Sequence, residues 1–322
     1  MTIHILIITR NGGELFEKCL RSVEKQLQSS DRIVIVHSAP LRKPLFTHKS
    51  IYTHGFRGYA HAVNVGISSI PYSHWLILND DTCLEPNCVE VLRKQLFRPA
   101  IYQPQIRSMN SPSRIENAGH WIFLDGFNIA RGRGALPSLE LPKYLPVFSG
   151  ASALLHKTVI EQVGAFDEDL HSFGEDVDWS LRAIRKGFPI QYVPEAIVYH
   201  KLGATFGRSS RQKARWVERN RVQAIIRSMP RHLLLQVPFW TFYRFIVQSL
   251  GAAIGRGVAS QSSSEAAIGA ILGNIEGWSK TRDAWKKRKE DRLDWRLRDR
   301  PFYEMLKKHH PPLRDVWHPK EF

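Results

Sequence analysis

Asn79-Asp80-Asp81 is where this chain shows the plainest capacity for chemistry. Two adjacent carboxylates repel unless a positive charge lies near them. A hard divalent cation that also takes phosphate oxygens is the usual partner. The pair follows an apolar run, residues 75–78, which reads as a strand buried on both faces. The acids then stand just past the carboxyl end of a strand, where open α/β sheets take their ligands. A polar turn in which Asp81 caps the next helix is the plainer alternative. A second acidic group, Glu175-Asp176-x-Asp178, opens a helix pattern. Val177, Leu181 and Ile184 share a face, Asp178 can pair with Arg182 at i+4, and Gly187 ends the run. Glu175 and Asp176 sit in the first turn, where negative charge stabilises a helix by about 0.3–1 kcal/mol on its own.

The elements that must position these groups follow in order. Residues 3–8 read as a buried strand ending at Thr9-Arg10-Asn11, with Gly12-Gly13 after it. Leu15, Cys19, Val23 and Leu27 then mark an amphipathic helix. Residues 32–36 give a second strand, closing a β-α-β unit, and residues 50–53 a short third. Residues 55–67 open with glycines that allow close backbone approach, and continue as an Ala-rich helix carrying Asn64. A simple turn at Gly55 and Gly58 is the alternative there. Residues 86–97 read as a helix, and residues 125–146, rich in Gly and Pro with Arg131 and Arg133, as a long loop or lid. Two short strands, 191–193 and 197–199, flank Pro194-Glu195, and His200 follows them.

Beyond residue 208 the character changes. Charged helical sequence over 211–227 runs to Pro230, and residues 233–258 are apolar and aromatic. Pro238 and Arg244 leave no charge-free run of the roughly 18–20 residues a membrane span needs. As a helix from Phe239, this stretch sets Arg244, Gln248, Gly251 and Gly255 on one side. Phe239, Phe242, Tyr243, Ile246, Leu250 and Ile254 fall on the other, which suits an interfacial or packed helix. A linker over 260–265, a helix over 266–278 and a charged, Trp-bearing stretch over 280–300 complete the chain.

With 322 residues, 43% of them hydrophobic and 24% charged, the chain fits a globular protein of one large domain or two smaller ones. Three cysteines without a Cys-x-x-Cys argue against a disulfide framework or zinc site, and fit a reducing cytosol. The first residues enter a strand pattern directly and show no signal-peptide pattern. Net charge is +16, but residues 1–200 hold 21 Lys/Arg against 19 Asp/Glu, and residues 201–322 hold 25 against 11. The basic part is expected to meet an anionic surface, a solvated helical exterior being the plainer alternative.

Taken in order, the motifs are Thr-x-Asn after the first strand, Gly-Tyr-Ala-x-Ala-x-Asn-x-Gly, Leu-Asn-Asp-Asp, Gly-Ala-Phe-Asp-Glu, Gly-Glu-Asp-x-Asp-x-x-x-Arg and Pro-x-Ala-x-Val-x-His. Over residues 3–205 this series resembles the family 2 inverting glycosyltransferases of the GT-A fold, and within them the bacterial rhamnosyl- and galactofuranosyltransferases. The resemblance implies an α/β fold with a Rossmann-like, mostly parallel sheet flanked by helices and a helical C-terminal region. It implies a catalytic domain over 1–228 and a basic, amphipathic region over 229–322. The implied reaction moves a sugar from a nucleoside-diphosphate donor to a glycan or polyprenyl-diphosphate-linked acceptor, in cell-surface polysaccharide synthesis. The implied cofactor is Mg²⁺ or Mn²⁺, no nucleic-acid partner is expected, and the expected place of action is the inner face of the cell membrane.

Residue by residue, the resemblance puts Thr9, Arg10 and Asn11 where the first strand meets the nucleotide, and Gly58 and Asn64 on the nucleotide-sugar side of the next helix. Asn79 and Asp80 lead into Asp81, which matches the metal-holding residue. His200 matches a histidine that completes the metal shell in some members. Asp176 matches the catalytic base, with Glu175 the neighbouring candidate. One position departs: the second strand usually ends in an Asp that contacts the base, and here it reads Val36-His37-Ser38. A pyrimidine diphosphate is preferred and GDP stays open. Three rivals remain: a sugar-nucleotide nucleotidyltransferase, which fits poorly because Glu14 follows Gly12-Gly13; a nucleic-acid-binding protein, suggested by the basic charge; and an inactive nucleotide-sugar-binding homologue.

Overall fold

A computed structural model of the chain describes residues 1–41, 47–201, 210–253, 263–309 and 311. Four runs form the parallel half of its nine-stranded sheet: β1 (Ile3–Thr9), β2 (Arg32–His37), β3 (Lys49–Tyr52) and β4 (His74–Asn79), in spatial order β3-β2-β1-β4. Helices α1 (Glu14–Glu24) and α2 (Tyr59–Ser68) supply crossovers. The chain leaves β1 to one side and returns with β4 on the other, so the β1/β4 boundary is the switch point where a crevice opens. β4 is buried from residue 74 to 78. Trp75 and Ile77 enter the core on one face of the sheet, Leu76 and Leu78 on the other. The buried stripe of α1 is Phe16, Cys19, Leu20 and Val23; Leu27, expected in that helix, lies beyond its end.

The mixed half is built from β5 (Thr82–Leu84), β6 (Ile101–Ser108), β7 (Ile115–Asn117), β10 (Ser152–Leu155) and β11 (Ile190–His200), while β8 (His120–Ile122) and β9 (Asn128–Ala130) form a separate hairpin. The order continues β4-β10-β6-β11-β5, with β7 on β6 and β10 antiparallel to both neighbours. Helices α3 (Cys88–Arg93), α4 (Lys157–Val163) and α5 (Glu175–Arg185) cover it. The two strands expected around Pro194 are one strand, because the register shift between Val193 and Ile197 absorbs the missing N–H. Residues 125–146 are less of a free lid than expected. Arg131 is fully buried, donates to the carbonyls of Ala118 (3.2 Å) and Pro142 (2.8 Å), and lies 4.8 Å from the Trp121 ring. Swinging this segment out would break the Arg131 contacts with the Ala118 carbonyl and the Trp121 ring.

The helical layer comprises α6 (Arg211–Ser228), α7 (Arg231–Leu234), α8 (Val237–Ala253), α9 (Ser264–Ser279), α10 (Thr281–Asp291) and α11 (Asp299–Lys308). Gly269 and Gly273 let α9 lie directly on the backbone of α6; a Cβ at Gly273 would stand 2.1 Å from the Arg215 carbonyl oxygen. Pro238 opens α8 instead of breaking it, since the first turn has no N–H to lose. On α8, Arg244 is held at 2.9 Å by both Asp125 and Glu218, while Phe239, Phe242, Tyr243, Ile246 and Leu250 are exposed. The amphipathic split read from sequence is therefore present; Ile254, Gly255 and residues 260–262 lie outside the described residues. Ion pairs Arg227–Asp291 (2.5 Å), Lys287–Asp167 (2.6 Å) and Arg185–Asp299 (2.9 Å) cross the 228/229 boundary. Among the described residues no helix is long and apolar enough to cross a membrane.

Candidate active site

A cavity of about 560 Å³ opens at the carboxyl ends of β1 and β4, and α5 and α6 close its far side. That volume lies in the range of small-molecule sites. The Asp80-Asp81 turn is fixed from two neighbouring strands: Asn79 donates its N–H to the Ala151 carbonyl (3.0 Å) and Asp80 to that of Ile8 (3.2 Å). The Asp80 carboxylate accepts the Thr9 hydroxyl at 2.5 Å. Burial and the adjacent Asp81 charge push the Asp80 carboxyl up to about 6, against the pull of the Thr9 hydrogen bond.

Asp81 is buried, and its Oδ1 lies 3.2 Å from Nε2 of His200. His200 Nδ1 is 2.6 Å from Glu116. Burial alone would lower the imidazole, but the nearby carboxylates of Asp81 and Glu116 push it up to about 10. The Asp81–His200 contact is close yet poorly aligned, so Asp81 Oδ1 has no hydrogen-bond donor, and neither has Glu116 Oε2. Among the described residues no cluster of three or more His, Cys, Asp or Glu makes a complete metal cage. One undonated carboxylate oxygen facing one imidazole nitrogen nonetheless fits a Mg²⁺ or Mn²⁺ ion that draws its other ligands from phosphate and water. Glu116 stands behind His200 as carboxylates stand behind metal-binding histidines, fixing the ring.

Across the cavity, Asp176 Oδ2 accepts the Gly150 N–H at 3.0 Å, and Oδ1 that of Val177 at 2.8 Å. Gly150 precedes the Ala151 that holds Asn79, so one short segment ties both acidic groups together. The Glu175 carboxyl is buried with Oε2 unpartnered; burial and then the Asp176 charge push it well above the usual range. Asp178 faces away, bound to Arg182 at 2.8 Å as expected, and also to Arg227 at 3.3 Å. Burial disfavours its charge, but the two guanidinium groups hold its carboxyl below the usual range.

The loop before α5 carries left-handed residues at His171, Phe173 and Gly174. Fully buried Asn220 of α6 holds it there, its amide reaching the carbonyls of Leu170 (2.7 Å), Ser172 (3.0 Å) and Phe173 (2.6 Å). The same loop fixes α2, since a Cβ on Gly58 would stand 2.5 Å from the His171 carbonyl oxygen.

Of the residues expected on the nucleotide side, Thr9, Arg10, Gly58, Asn79 and Asp80 line the cavity. Asn11 and Asn64 do not. Asn64 is a latch: its amide donates to the Phe166 carbonyl and accepts the Phe166 N–H, both at 2.9 Å, so its polar atoms are committed within the fold. His37 stacks on Tyr52 at 5.3 Å and shares a hydrogen bond with the Ala39 carbonyl (2.9 Å), leaving Ser38, Thr53 and Phe56 as cavity wall. Sequence reasoning missed several members. Glu116 arrives through the β6–β7 pairing, which no local pattern announces. Tyr59, whose hydroxyl donates to the Gly150 carbonyl at 2.5 Å, sits inside a motif already noticed. His120, Lys213 and Arg221 also face the cavity, and burial keeps the His120 imidazole below its usual value.

Residues 74–275 match the family model described as glycosyl transferase family group 2. The chain belongs to this family. The family 2 chain is 23% identical over 227 residues to the poly-beta-1,6-N-acetyl-D-glucosamine synthase of Staphylococcus epidermidis, covering 67% of itself and 54% of that protein. The Staphylococcus aureus protein of the same name is 25% identical over 164 residues, 50% of this chain and 38% of its own. The chain thus spans about half the length, or less, of the curated relatives it matches. Among solved structures, S. aureus TarS 1-349 in complex with UDP-GlcNAc aligns with a TM-score of 0.55 at 11% identity, covering 96% of this chain and 93% of that one. The mannosyltransferase PcManGT from Pyrobaculum calidifontis, in complex with GDP-Man and Mn²⁺, aligns at 0.51 and 15% identity, covering 90% and 86%. These likenesses bear out the GT-A fold of the family 2 chain.

Proposed function

We propose that this chain transfers a sugar, with inversion, from a nucleoside-diphosphate sugar to a hydroxyl of a glycan or lipid-linked saccharide in cell-surface polysaccharide synthesis. One observation carries the reading: the Asp81–His200 pair and the Asp176 carboxylate face a single cavity at the sheet's switch point. The acceptor oxygen attacks the anomeric carbon from the face opposite the diphosphate. The bond to the diphosphate oxygen breaks and its electron pair leaves with the phosphate, while the hydroxyl proton passes to Asp176. Glu175 is the neighbouring candidate, and burial pushes its carboxyl toward the neutral form. Asp81 and His200 would hold a divalent ion, which would supply charge neutralisation at the leaving diphosphate.

Thr9, Arg10, Gly58, Asn79 and Asp80 would bound the nucleotide. A UDP-sugar or a dTDP-rhamnose-like donor is preferred; the UDP-GlcNAc of TarS supports the first, and the GDP-Man of PcManGT keeps GDP open. A thermal-shift screen with UDP, dTDP and GDP, each with and without Mn²⁺, tests this. One nucleotide should stabilise the protein in a Mn²⁺-dependent way; stabilisation by none of them overturns the reading.

The protein is further proposed to work at the inner face of the cell membrane without spanning it. Support comes from the exposed apolar side chains of α8, those of Ile268, Ile271 and Ile275 on α9, and the basic C-terminal charge.

A further inference from the structure

A second cavity, of about 400 Å³, lies in the helical layer away from the residues of the donor cleft. Arg231, Arg288, Lys289, Arg292 and Arg298 line it together with Trp285 and Leu293, and no carboxylate does. Four of the cations are exposed, as surface cations usually are. Arg288 is only 2% exposed. Its Nη1 donates to the carbonyls of Ile226 (2.9 Å), Arg227 (3.4 Å) and Met229 (2.7 Å) at the end of α6, which locks the guanidinium in place. Its Nε and Nη2 have no partner.

Arg185 provides an internal control. The two guanidinium groups approach the same ring, Trp295, at 4.0 Å for Arg185 and 4.9 Å for Arg288. Arg185 spends its donors on the carbonyls of Ser228 and Leu297 and on Asp299. The nearby carboxylates are committed elsewhere: Asp299 to Arg185, Asp291 to Arg227 and Asp294 to Lys186. Among the described residues none pairs with Arg231, Lys289, Arg292 or Arg298. A buried guanidinium with two unmatched nitrogens is costly to leave so. Nε and Nη2 form the side-on fork that takes two oxygens of one anion.

We propose that this cavity is an anion site for a phosphate or diphosphate group, held by the ring of Arg231, Lys289, Arg292 and Arg298 over the unmatched Nε and Nη2 of Arg288. Several cations without a counter-charge favour a multiply charged group over a single carboxylate. The group can come from a phospholipid headgroup or from a free or acceptor-borne diphosphate. The assignment is independent of sugar transfer.

The test uses the full chain in low salt with EDTA, which removes metal-assisted binding in the donor cleft. Inorganic pyrophosphate is titrated calorimetrically into wild type, Arg292→Glu/Arg298→Glu and Asp81→Ala. Both substituted arginines are exposed, so folding is kept, and melting curves check it. Wild type and Asp81→Ala should bind alike, and the double variant at least tenfold more weakly. Sedimentation with phosphatidylglycerol vesicles, against phosphatidylcholine alone, is the second arm. Loss of pyrophosphate binding in the double variant supports a free or acceptor-borne diphosphate. Loss of vesicle binding alone supports a headgroup. A double variant that behaves as wild type in both arms overturns the site.

Discussion

The sheet half and the helical layer use charge in opposite ways. Up to residue 200 acids and bases nearly balance, and the groups that matter are a few carboxylates set at strand ends around one cleft. Beyond it 25 Lys/Arg face 11 Asp/Glu, yet several of the arginines never reach the surface. Arg219, Arg221 and Arg288 are buried, and Arg227 and Arg244 are nearly so, gripping carboxylates or helix-end carbonyls. A count of charges therefore describes the helical layer poorly. The useful distinction is whether the N–H groups of each arginine are matched.

The comparison breaks first at Asp81. If strand-end acids are functional and not structural, Asp81→Ala should abolish Mn²⁺-dependent nucleotide stabilisation while the Tm of the metal-free protein holds; unchanged nucleotide affinity with Mn²⁺ refutes it. Asp176→Asn should cut kcat by about 10²–10⁴-fold with donor affinity intact. Glu175→Gln, which replaces a carboxyl that burial pushes toward its neutral form, should keep most of its turnover. The reverse ranking would move the base by one residue.

The helical layer predicts losses of stability instead. Asp178→Asn leaves Arg227 and Arg182 short of a buried partner and should cost about 3–5 kcal/mol in denaturant melts at neutral pH. The sign follows from the direction of the shift. Asp178 titrates lower when folded than unfolded, so its contribution is complete above the unfolded value of about 4 and fades as pH falls through the folded one. The gap between wild type and variant should narrow in acid; a constant gap would remove the ionic explanation. Glu116→Gln keeps the shape behind His200 and should weaken Mn²⁺ binding about 10–100-fold. Smallest in stability are Phe239→Ser and Phe242→Ser on the exposed face of α8, expected within about 0.5 kcal/mol of wild type. Vesicle binding should fall nonetheless, and undiminished binding would count against the membrane reading.

Local pattern carried much of the fold. β4 was legible because its four consecutive apolar residues serve two cores, and the Asp178–Arg182 pair because i+4 spacing fixes it. Pairings between distant segments were not. Glu116 and His200 stand 84 positions apart in the chain, and Asp178 and Arg227 49. Asn64 misled for the same cause: its motif position was clear, but its bonds to Phe166 belong to tertiary packing. The glycines of α9 were visible as residues, and only the closeness of α6 gives them meaning.

Asn220 bears on how such chains diverge. It belongs to the helical layer, yet its amide shapes the left-handed loop that leads into Asp176. A helical layer grafted from a relative would carry its own residue at this position into the loop of another chain. Without an amide there, the strained residues, worth about 1–3 kcal/mol each, would relax and the carboxylate would drift. α6 is therefore inherited with the loop that it shapes.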